Sequence, residues 1–479
     1  MEKEVLDKAH EFIISGNYNS AEKVLTDYLL ENPKSIDVLF RLAYLYQIQK
    51  KLSDALGCYK KLLEIKPQEA GIYNNIAHIL LEERKFKDAE KVIESVLPLE
   101  IISLDLLNTL GIVKGYMGKF DEAEIIFKEI IDNYPDFAES YLNLGNILDA
   151  KGKLDEAEEL LKTAIKKEFN KNSAEFNLSL LYLKKGEYLK GWELYETRKL
   201  KKEYPKILLS KPELKNIGGI SNSYILVYDE QGFGDTIQFV RFLPYLKNFG
   251  GKIILVCHQS LVRLLANCSY IDKIIPKDSF NEKQIDYDFY ISLLSIPNLF
   301  KISLNILPSQ TPYLIPSLNK KLENLLKTDK YKIGIVWKGR QPLENFYRSA
   351  KLIDLLPVLN LNGTQIVSLQ KDVSEEEKNL LQEKNIVDAS EVLLSFDETA
   401  SIISKLDCMI SIDTSVAHLS GALGKTTYLM LSSRYDWRWK EKKRKSLWYP
   451  DITLVKQTEF GNWSDVVFRI KEYLEKTIN

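Results

Sequence analysis

The sequence predicts an α plus α/β fold, in which a helical repeat array over residues 1–200 is followed by an α/β region. Small residues recur every 34 positions in the first part, a period typical of stacked helix pairs. From Tyr224 the apolar pattern changes to strands that alternate with helices, which predicts parallel sheets. Within that region, residues 406–423 combine a buried strand, a polar turn and a short helix. This arrangement is typical of ligand binding at the carboxyl end of a strand.

Composition limits the classes of protein that the chain can represent. Its 479 residues are enough for two or three domains, and a net charge of -1 at pH 7 gives no bulk reason to expect nucleic acid as a partner. The four cysteines lack C-x-x-C spacing, so we expect neither a disulfide framework nor a metal site. No apolar run approaches the roughly 20 residues of a membrane span, and the first residues lack a signal-peptide core. We therefore expect a cytoplasmic protein without a membrane span.

The repeat frame is defined by small residues on one period and by turn residues that come after them. The small positions are Ala9, Ala43, Ala77, Gly111, Gly145 and Ser179. The turn positions, mostly glycine, are Gly16, Lys50, Arg84, Gly118, Gly152 and Gly186. Small residues let two helices approach closely, and a glycine ends the first helix of a unit. The pattern resembles the tetratricopeptide repeat, with six units of 34 residues over residues 1–200.

Tetratricopeptide repeats form a concave surface that usually holds a peptide or protein segment, so the resemblance implies a protein partner. An alternative is that the repeats only dimerise or stiffen the molecule. Asparagines on the first helices are candidate contacts, because an amide offers a donor and an acceptor to a peptide backbone, although the same residues can cap helices or face solvent. These candidate acceptor-binding residues are Asn74, Asn108, Asn143, Asn146 and Asn177.

The last repeat departs from the frame and leads into a different kind of sequence. It contains Trp192 and Arg198, which a solvent-facing cap does not need, and we expect it to pack on the α/β region. Residues 201–222 mix proline, glycine and charge without a period, which predicts a linker. After it, residues 223–328 and 329–479 each read as a series of strands and helices, so the sequence predicts two α/β halves.

The first half opens with a strand, a glycine loop and a helix that Pro244 interrupts. Gly232 and Gly234 do not complete a dinucleotide-binding fingerprint, because the third glycine of that motif is missing. Asp235 lies at the start of the helix, in a loop that faces the carboxyl edge of the sheet. It is either an N-cap or a general base, and its position alone favours neither role.

In the second half, three strand ends are predicted to meet at one crevice, and they carry Lys338, Gln370 and the turn 413–415. Arg348 lies after the first of them, in a loop that enters a helix. Two cations together with free N–H groups at a helix start favour a phosphate site. The alternative is that the Asp-Thr-Ser turn only caps its helix, which is the commonest role of those residues.

Several segments together resemble a bacterial family that joins tetratricopeptide repeats to a glycosyltransferase domain. The segments are DEQGFGDTIQFVRFLP, WKG, SLQKD, FDETASIISKLDCMISIDTSVAHLSGALG, DWRW, WYP and GNWSDV. That domain is distantly similar to the heptosyltransferases of lipopolysaccharide synthesis. The resemblance implies a GT-B fold of two Rossmann-like halves, with the acceptor on residues 223–328 and the nucleotide-sugar donor on residues 329–479.

The resemblance also implies roles for individual residues. Asp235 matches the proposed catalytic base of the heptosyltransferases, and Lys338 matches the lysine that binds the donor phosphate. The Asp-Thr-x-x-x-His element of that family, which lies at the diphosphate, corresponds to Asp413, Thr414 and His418. The full set of expected donor-binding residues is Gly232, Gly234, Trp337, Lys338, Arg348, Gln370, Asp413, Thr414, Ser415 and His418.

The expected function is transfer of a sugar from a nucleotide-sugar donor to a protein acceptor held by the repeats, such as flagellin or another surface protein. The reaction is a direct displacement with Asp235 as base, in which we expect no metal and no cofactor. The donor is a substrate, and the choice between a CMP-linked and a nucleoside-diphosphate-linked sugar stays open. Two alternatives remain: a glycan or lipid-linked acceptor, and a non-catalytic repeat scaffold with a degenerate transferase domain.

Overall fold

The computed structural model divides the chain into two compact units, Met1–Phe169 and Asn170–Asn479. It describes residues 1–168, 170–202, 204–205, 207, 209–317, 326–339, 343–442 and 444–478, with the backbone alone at 343–345 and 441–442. In this part of the chain, no helix combines the length and the apolar character that a membrane span requires.

The described part of the first unit is a series of five helix pairs. The helices are α1 (Glu2–Ile14), α2 (Tyr18–Glu31), α3 (Ile36–Ile48), α4 (Leu52–Ile65), α5 (Ala70–Glu82), α6 (Phe86–Glu94), α7 (Leu104–Tyr116), α8 (Phe120–Asn133), α9 (Ala138–Ala150) and α10 (Leu154–Lys166). The turn residues of the 34-residue frame, from Gly16 to Gly152, have φ angles between 59° and 77°. This left-handed conformation suits glycine, and Lys50 and Arg84 adopt it with some backbone strain.

The small residues of the frame lie where the two helices of a pair touch. Ala9, Ala43 and Ala77 are completely buried. A Cβ added to Gly111 would lie 2.6 Å from the ring of Phe127 on the partner helix. A larger side chain at these positions would force the helices apart, so the period in the sequence marks real helix contacts.

The second unit begins with a sixth helix pair. Its helices are α11 (Lys171–Lys185) and α12 (Tyr188–Tyr195). Trp192 is buried, and its indole N–H donates to the carbonyl of Ile302 at 2.9 Å. Arg198, which is 2% exposed, forms an ion pair with Glu230 at 2.7 Å. The sixth pair is therefore built into the core of the second unit.

A four-stranded parallel sheet forms the first half of the α/β region, as far as the structure describes it. Its strands are β1 (Tyr224–Tyr228), β2 (Lys252–Cys257), β3 (Lys273–Pro276) and β4 (Phe289–Ser292), in the order β3-β2-β1-β4. Its helices are α13 (Phe233–Phe239), α14 (Leu243–Asn248), α15 (Gln259–Leu265) and α16 (Ile296–Leu299). A single 3₁₀ turn separates α13 from α14, and Pro244 stands in the first turn of α14. The predicted helix interruption is therefore confirmed. Proline suits the first turn of a helix, where its missing N–H has no partner to lose, and disrupts a helix interior.

The segment predicted as a linker is packed along this sheet. The N–H of Leu214 donates to the carbonyl of Tyr290 in β4 at 2.8 Å, and the N–H of Tyr290 donates to the carbonyl of Pro212 at 3.1 Å. The side chains of Leu214 and Ile220 are buried. Backbone pairing covers the edge of β4 and fixes the path of the chain between α12 and β1.

The second half contains an eight-stranded sheet within the described residues. Its strands are β5 (Tyr331–Val336), β6 (Thr364–Ser368), β7 (Val387–Asp388), β8 (Cys408–Ile412), β9 (Thr427–Leu431), β10 (Glu441–Lys442), β11 (Lys445–Ser446) and β12 (Ile452–Lys456). Their order is β10-β11-β12-β9-β8-β5-β6-β7, parallel from β12 to β7 and antiparallel at β10 and β11. The helices are α17 (Leu356–Leu359), α18 (Glu375–Glu383), α19 (Phe396–Lys405), α20 (Ser415–Ala422) and α21 (Ser464–Ile478). Every residue of β8 is buried, as expected for a central strand covered on both faces.

Candidate functional site

The predicted site residues of the two halves meet where α13 and α20 pack against each other, at the carboxyl ends of β1 and β8. A Cβ added to Gly234 would lie 2.8 Å from Cδ2 of His418 and 3.5 Å from Cα of Ser415. Glycine at this position therefore lets the two helix starts approach. The contact brings the first turn of α13, which carries Asp235, and the turn 413–415 into one crevice.

Five charged side chains, which we call the charged cluster, alternate in sign through this crevice. Arg438 forms ion pairs with Asp235 at 2.5 Å and with Asp436 at 3.0 Å. Arg348 forms ion pairs with Asp413 at 2.9 Å and with Asp436 at 3.6 Å. Three carboxylates thus share two guanidinium groups, and Asp436 joins the two arginines.

Asp235 is not the N-cap of α13, one of the two roles that the sequence left open, but the third residue of the helix, from which its side chain reaches back to the N-cap backbone. Gly232 is the N-cap of α13, and its backbone N–H donates to Oδ2 of Asp235 at 3.1 Å. The other carboxylate oxygen of Asp235 accepts from Nη2 of Arg438 at 2.5 Å. The carboxylate is therefore held at both oxygens, while its side chain keeps 20% of its surface exposed.

Burial and charge act differently on the two other carboxylates of the cluster. Burial raises the pKa of Asp413, and the charge of Asp436 adds to this effect against the opposing charge of Arg348. Burial also opposes ionisation of Asp436, but the charges of Arg438 and Arg348 outweigh it and hold the pKa of Asp436 below its usual range. Of these two carboxylates, Asp436 is consequently the one that keeps its charge more firmly.

The helix start of α20 lacks the side-chain cap that the alternative interpretation predicts. Thr414 is the N-cap residue, but its side chain makes no capping hydrogen bond, and its Oγ1 lies 3.4 Å from Oγ of Ser411. The carboxylate of Asp413 is directed to Arg348 instead. Within the described residues, the first turn of α20 therefore has no side-chain cap from Asp413 or Thr414. The N–H groups of Ala417 and His418 donate to the carbonyl of Thr414, which leaves those of Ser415 and Val416 for another acceptor.

His418 is part of the packing between the helices. Its ring is 4% exposed, stacks on Trp439 with 4.8 Å between ring centroids, and places Nδ1 2.9 Å from the hydroxyl of Tyr449. Burial and the nearby charge of Arg438 lower the pKa of His418 well below 6.5. The imidazole is therefore neutral at neutral pH, and in this conformation little of its surface is accessible to a phosphate.

Gln370 organises the strand end that carries Trp337 and Lys338. Its Oε1 accepts from the backbone N–H groups of these two residues, at 3.3 Å and 3.1 Å. The ring of Trp337 is completely buried and its indole N–H donates to Glu377 at 2.7 Å, so the ring offers no surface to a donor. The ammonium group of Lys338 forms an ion pair with Glu377.

An open cleft of about 590 Å³ lies at the ends of the neighbouring strands β6 and β7. It is lined by Lys338, Lys371, Asp372, Val373, Ser374, Lys378, Ser390 and Glu391. The ammonium group of Lys371 donates to the carbonyl of Leu393 at 2.8 Å, and Lys378 pairs with Glu375 at 2.7 Å. The cleft therefore combines three lysines with two carboxylates, Asp372 and Glu391, and with hydroxyl groups next to the strand end that carries Lys338.

Sequence reasoning missed Asp436, Arg438 and Glu377, which hold the predicted residues in place. The available signal was the segment DWRW, in which an acid and a base stand between aromatic residues. Its tryptophans, Trp437 and Trp439, are buried in the hydrophobic core. The guanidinium of Arg438 lies 4.4 Å from the centre of the Trp437 ring.

Comparison with known proteins concerns the first part of the chain. Residues 6–70 and 116–176 each match a family model described as tetratricopeptide repeat. The N-terminal region consists of tetratricopeptide repeats. No curated protein matches the chain.

Three solved structures illustrate the similarity of the tetratricopeptide region. PilW, a widely conserved type IV pilus biogenesis factor, is 20% identical, with 43% of this chain and 94% of that chain covered and a TM-score of 0.37. The thermophilic TPR protein TTC0263 of Thermus thermophilus is 21% identical, with 38% and 100% covered and a TM-score of 0.33. YrrB, a TPR protein with an unusual peptide-binding site, is 22% identical, with 36% and 90% covered and a TM-score of 0.28.

The asparagines expected on the tetratricopeptide surface differ in their surroundings. Asn108 is 3% exposed, donates to Glu139 at 3.0 Å and accepts from Asn143 at 2.9 Å. Oδ1 of Asn74 is buried and accepts no hydrogen bond from the described residues. Two further candidates, Asn146 and Asn177, each interact with other residues, and Asn177 lies on α11 in the second unit. Asn108 thus belongs to a hydrogen-bond network between neighbouring repeats, and its amide is already used there.

Proposed function

We propose that the chain is a GT-B glycosyltransferase that moves a sugar from a nucleotide-sugar donor to a protein segment held by the tetratricopeptide repeats. The observation that carries this proposal is the meeting of two parallel-sheet strand ends at the charged cluster, beside a helix start without a side-chain cap and a lysine-lined cleft. Ligands of such sheets bind at the carboxyl ends of the strands. The segments that resemble the glycosyltransferase family contain most of these residues.

The donor site extends from the start of α20 to the lysine-lined cleft. The volume of the cleft, about 590 Å³, falls within the roughly 300–1,000 Å³ of typical small-molecule sites. Lys338, Lys371 and Lys378 supply positive charge, and the N–H groups of Ser415 and Val416 at the start of α20 add a dipolar anion site. Nucleoside and phosphate groups of a nucleotide sugar fit this combination.

The proposed reaction is a direct displacement at the anomeric carbon of the donor sugar. The acceptor hydroxyl forms the new C–O bond while its proton passes to Asp235, and the bond between the sugar and the phosphate breaks. The departing phosphate takes the electron pair and is stabilised by Lys338, Arg348 and the N–H groups of α20. Such preorganised electrostatic groups contribute most where charge develops.

The acceptor is proposed to be a protein, such as flagellin or another surface protein, because tetratricopeptide repeats commonly bind peptide segments. The first five helix pairs form a compact unit of their own, residues 1–169, and this unit is the proposed docking module. A glycan or lipid-linked acceptor remains the second candidate, and transfer assays with each acceptor class distinguish the two.

A thermal-shift panel of UDP, GDP, ADP, CMP and CMP-linked sugars tests the donor site. One nucleotide class should raise the melting temperature, because a ligand at 100 times its Kd adds about 2.7 kcal/mol to the free energy of unfolding. Lys338→Met should reduce this shift, while Lys471→Met on α21, distant in sequence from every site residue, should leave it unchanged. If no nucleotide in the panel shifts the wild-type protein, the proposed donor site is wrong.

A further inference from the structure

Arg438 is the residue through which the two halves of the crevice are electrostatically joined. It lies in the segment after β9 and pairs with Asp235 in the first turn of α13, 203 positions away in sequence. It also pairs with Asp436 of its own segment, and its backbone N–H donates to the same carboxylate at 3.0 Å. Only 10% of its side-chain surface is exposed.

The two arginines of the charged cluster each keep an unused donor. Nε of Arg438 and Nε of Arg348 are buried, and neither donates a hydrogen bond to the residues that the structure describes. A buried donor without an acceptor costs about 1–3 kcal/mol. The cluster therefore has unfilled capacity for an acceptor that can bind guanidinium groups through more than one oxygen. Phosphate is the ligand group with that geometry.

The same ion pair conflicts with the proposed role of Asp235. Both oxygens of the Asp235 carboxylate are already occupied, since Oδ1 accepts from Nη2 of Arg438 at 2.5 Å and Oδ2 accepts from the N–H of Gly232 at 3.1 Å, so an acceptor hydroxyl has to displace a partner to reach it. Asp235 must therefore lose this partner before it can deprotonate an acceptor hydroxyl. Its second hydrogen bond, from the N–H of Gly232, keeps the carboxylate in place when Arg438 leaves.

We propose that Arg438 exchanges partners during the reaction, binding a phosphate group of the donor and thereby releasing Asp235 to act as base. This inference rests on the proposed glycosyltransferase function and adds to it an order of events. Donor binding precedes activation of the acceptor, so the base becomes available only when a sugar is present to be transferred. The phosphate and Asp235 compete for one guanidinium group, so binding of the donor and release of the carboxylate are thermodynamically coupled.

The competition predicts opposite effects of two substitutions on nucleotide affinity. Isothermal titration calorimetry would use the nucleotide that gives the largest shift among UDP, GDP, ADP and CMP. Asp235→Asn should tighten binding by about threefold to tenfold, because Arg438 no longer has to leave a charged partner. Arg438→Gln should weaken binding by about tenfold or more, because a charge-assisted contact is lost, and Arg438→Lys should restore only part of it.

A double variant separates exchange from a fixed structural contact. If Asp235 acts on the nucleotide only through Arg438, the Asp235→Asn/Arg438→Gln variant should bind as weakly as Arg438→Gln alone. Asp465→Asn is the matched control, because it breaks an aspartate–arginine pair of 2.7 Å on α21 and should not change the affinity. Melting temperatures without nucleotide show whether each variant is folded.

The outcomes distinguish the exchange from the underlying function. If a nucleotide binds the wild-type protein but Asp235→Asn leaves its affinity unchanged or weaker, the exchange is wrong and the donor site stands. If Arg438→Gln binds the nucleotide as tightly as the wild-type protein, the exchange is likewise wrong and the donor site stands. If none of the four nucleotides binds the wild-type protein, the proposed function fails, and the exchange fails with it.

Discussion

At the scale of single residues, the charged side chains of the crevice already have ionic partners within the protein. Asp235 and Asp413 each have an arginine partner, and Lys338 is paired with Glu377. Such partially buried pairs hold side chains in one geometry, but each pair must open or reorganise when a charged ligand binds. Ligand binding in this crevice is therefore an exchange of ionic partners, which makes the affinity sensitive to neutralising substitutions.

The buried imidazole of His418 predicts a stability change in mildly acidic solution. Its pKa is lowered by burial and by Arg438 in the folded protein, so between the folded value and 6.5 the unfolded chain binds more protons. The stability linked to His418 is present above pH 6.5 and is lost as the pH falls, by up to about 1.4 kcal/mol per pH unit.

Urea unfolding at pH 7.5 and pH 6.0, followed by tryptophan fluorescence, measures this effect. All six tryptophans of the chain lie beyond residue 169, so the signal reports only the second unit. His418→Gln should show a smaller difference between the two pH values than the wild-type protein. An equal difference in both proteins would assign the acid sensitivity to other groups.

At the scale of elements, the repeats show how one backbone conformation recurs with the sequence period. The turn at Gly152 has a φ of 77°, and a Cβ there would contact nothing within 4 Å. Glycine at this turn is therefore favoured by its backbone conformation and not by a lack of space for a side chain. Gly57 lies within α4, where a Cβ also meets nothing within 4 Å, but its backbone is helical.

The same substitution at these two glycines should have opposite effects. Gly152→Ala should lower the free energy of unfolding by about 1 kcal/mol, because alanine resists the left-handed conformation. Gly57→Ala should raise it by about 0.5–1 kcal/mol, because alanine favours the helix and loses less entropy on folding. Urea unfolding monitored by circular dichroism measures both, and a change of the same sign in both variants would contradict the argument.

At the scale of the whole molecule, the chain divides before its sixth helix pair. The side chain of Trp192 and the ion pair of Arg198 with Glu230 fasten that pair to the first sheet, and the oxygens of Ser292 and Ser295 accept further hydrogen bonds from Arg198. Removing one partner of such a buried pair typically costs about 3–5 kcal/mol. The sixth pair is therefore required for the stability of the α/β unit.

Two truncated chains test this division. A chain that starts at residue 170 should unfold cooperatively and keep its nucleotide-induced thermal shift. A chain that starts at residue 201 should be strongly destabilised, because Glu230 then remains buried without Arg198. Equal urea midpoints for the two chains would show that the sixth pair contributes nothing to the fold. If the repeats hold the acceptor, the chain from residue 170 should also lose transfer to protein while binding nucleotide normally.

The sequence by itself predicted the features that depend on neighbours along the chain. The period of 34 residues identified the repeats, because each helix pair contacts the next at a constant spacing. The apolar runs identified β1, β5, β6 and β8, because strands that are buried on both faces are mostly apolar. The topology of parallel sheets then predicted that polar residues at strand ends share one edge.

Only the tertiary structure decided which of those polar residues are partners. Asp235 and Arg438 are 203 positions apart, and no local pattern relates them. The same holds for the hydrogen bond from the backbone N–H of Trp337 to Gln370, and for the burial of His418 against Trp439 and Tyr449. Ionic and hydrogen-bond partners are selected by distance and burial in the folded chain, whereas periodicity records only contacts that repeat along the sequence.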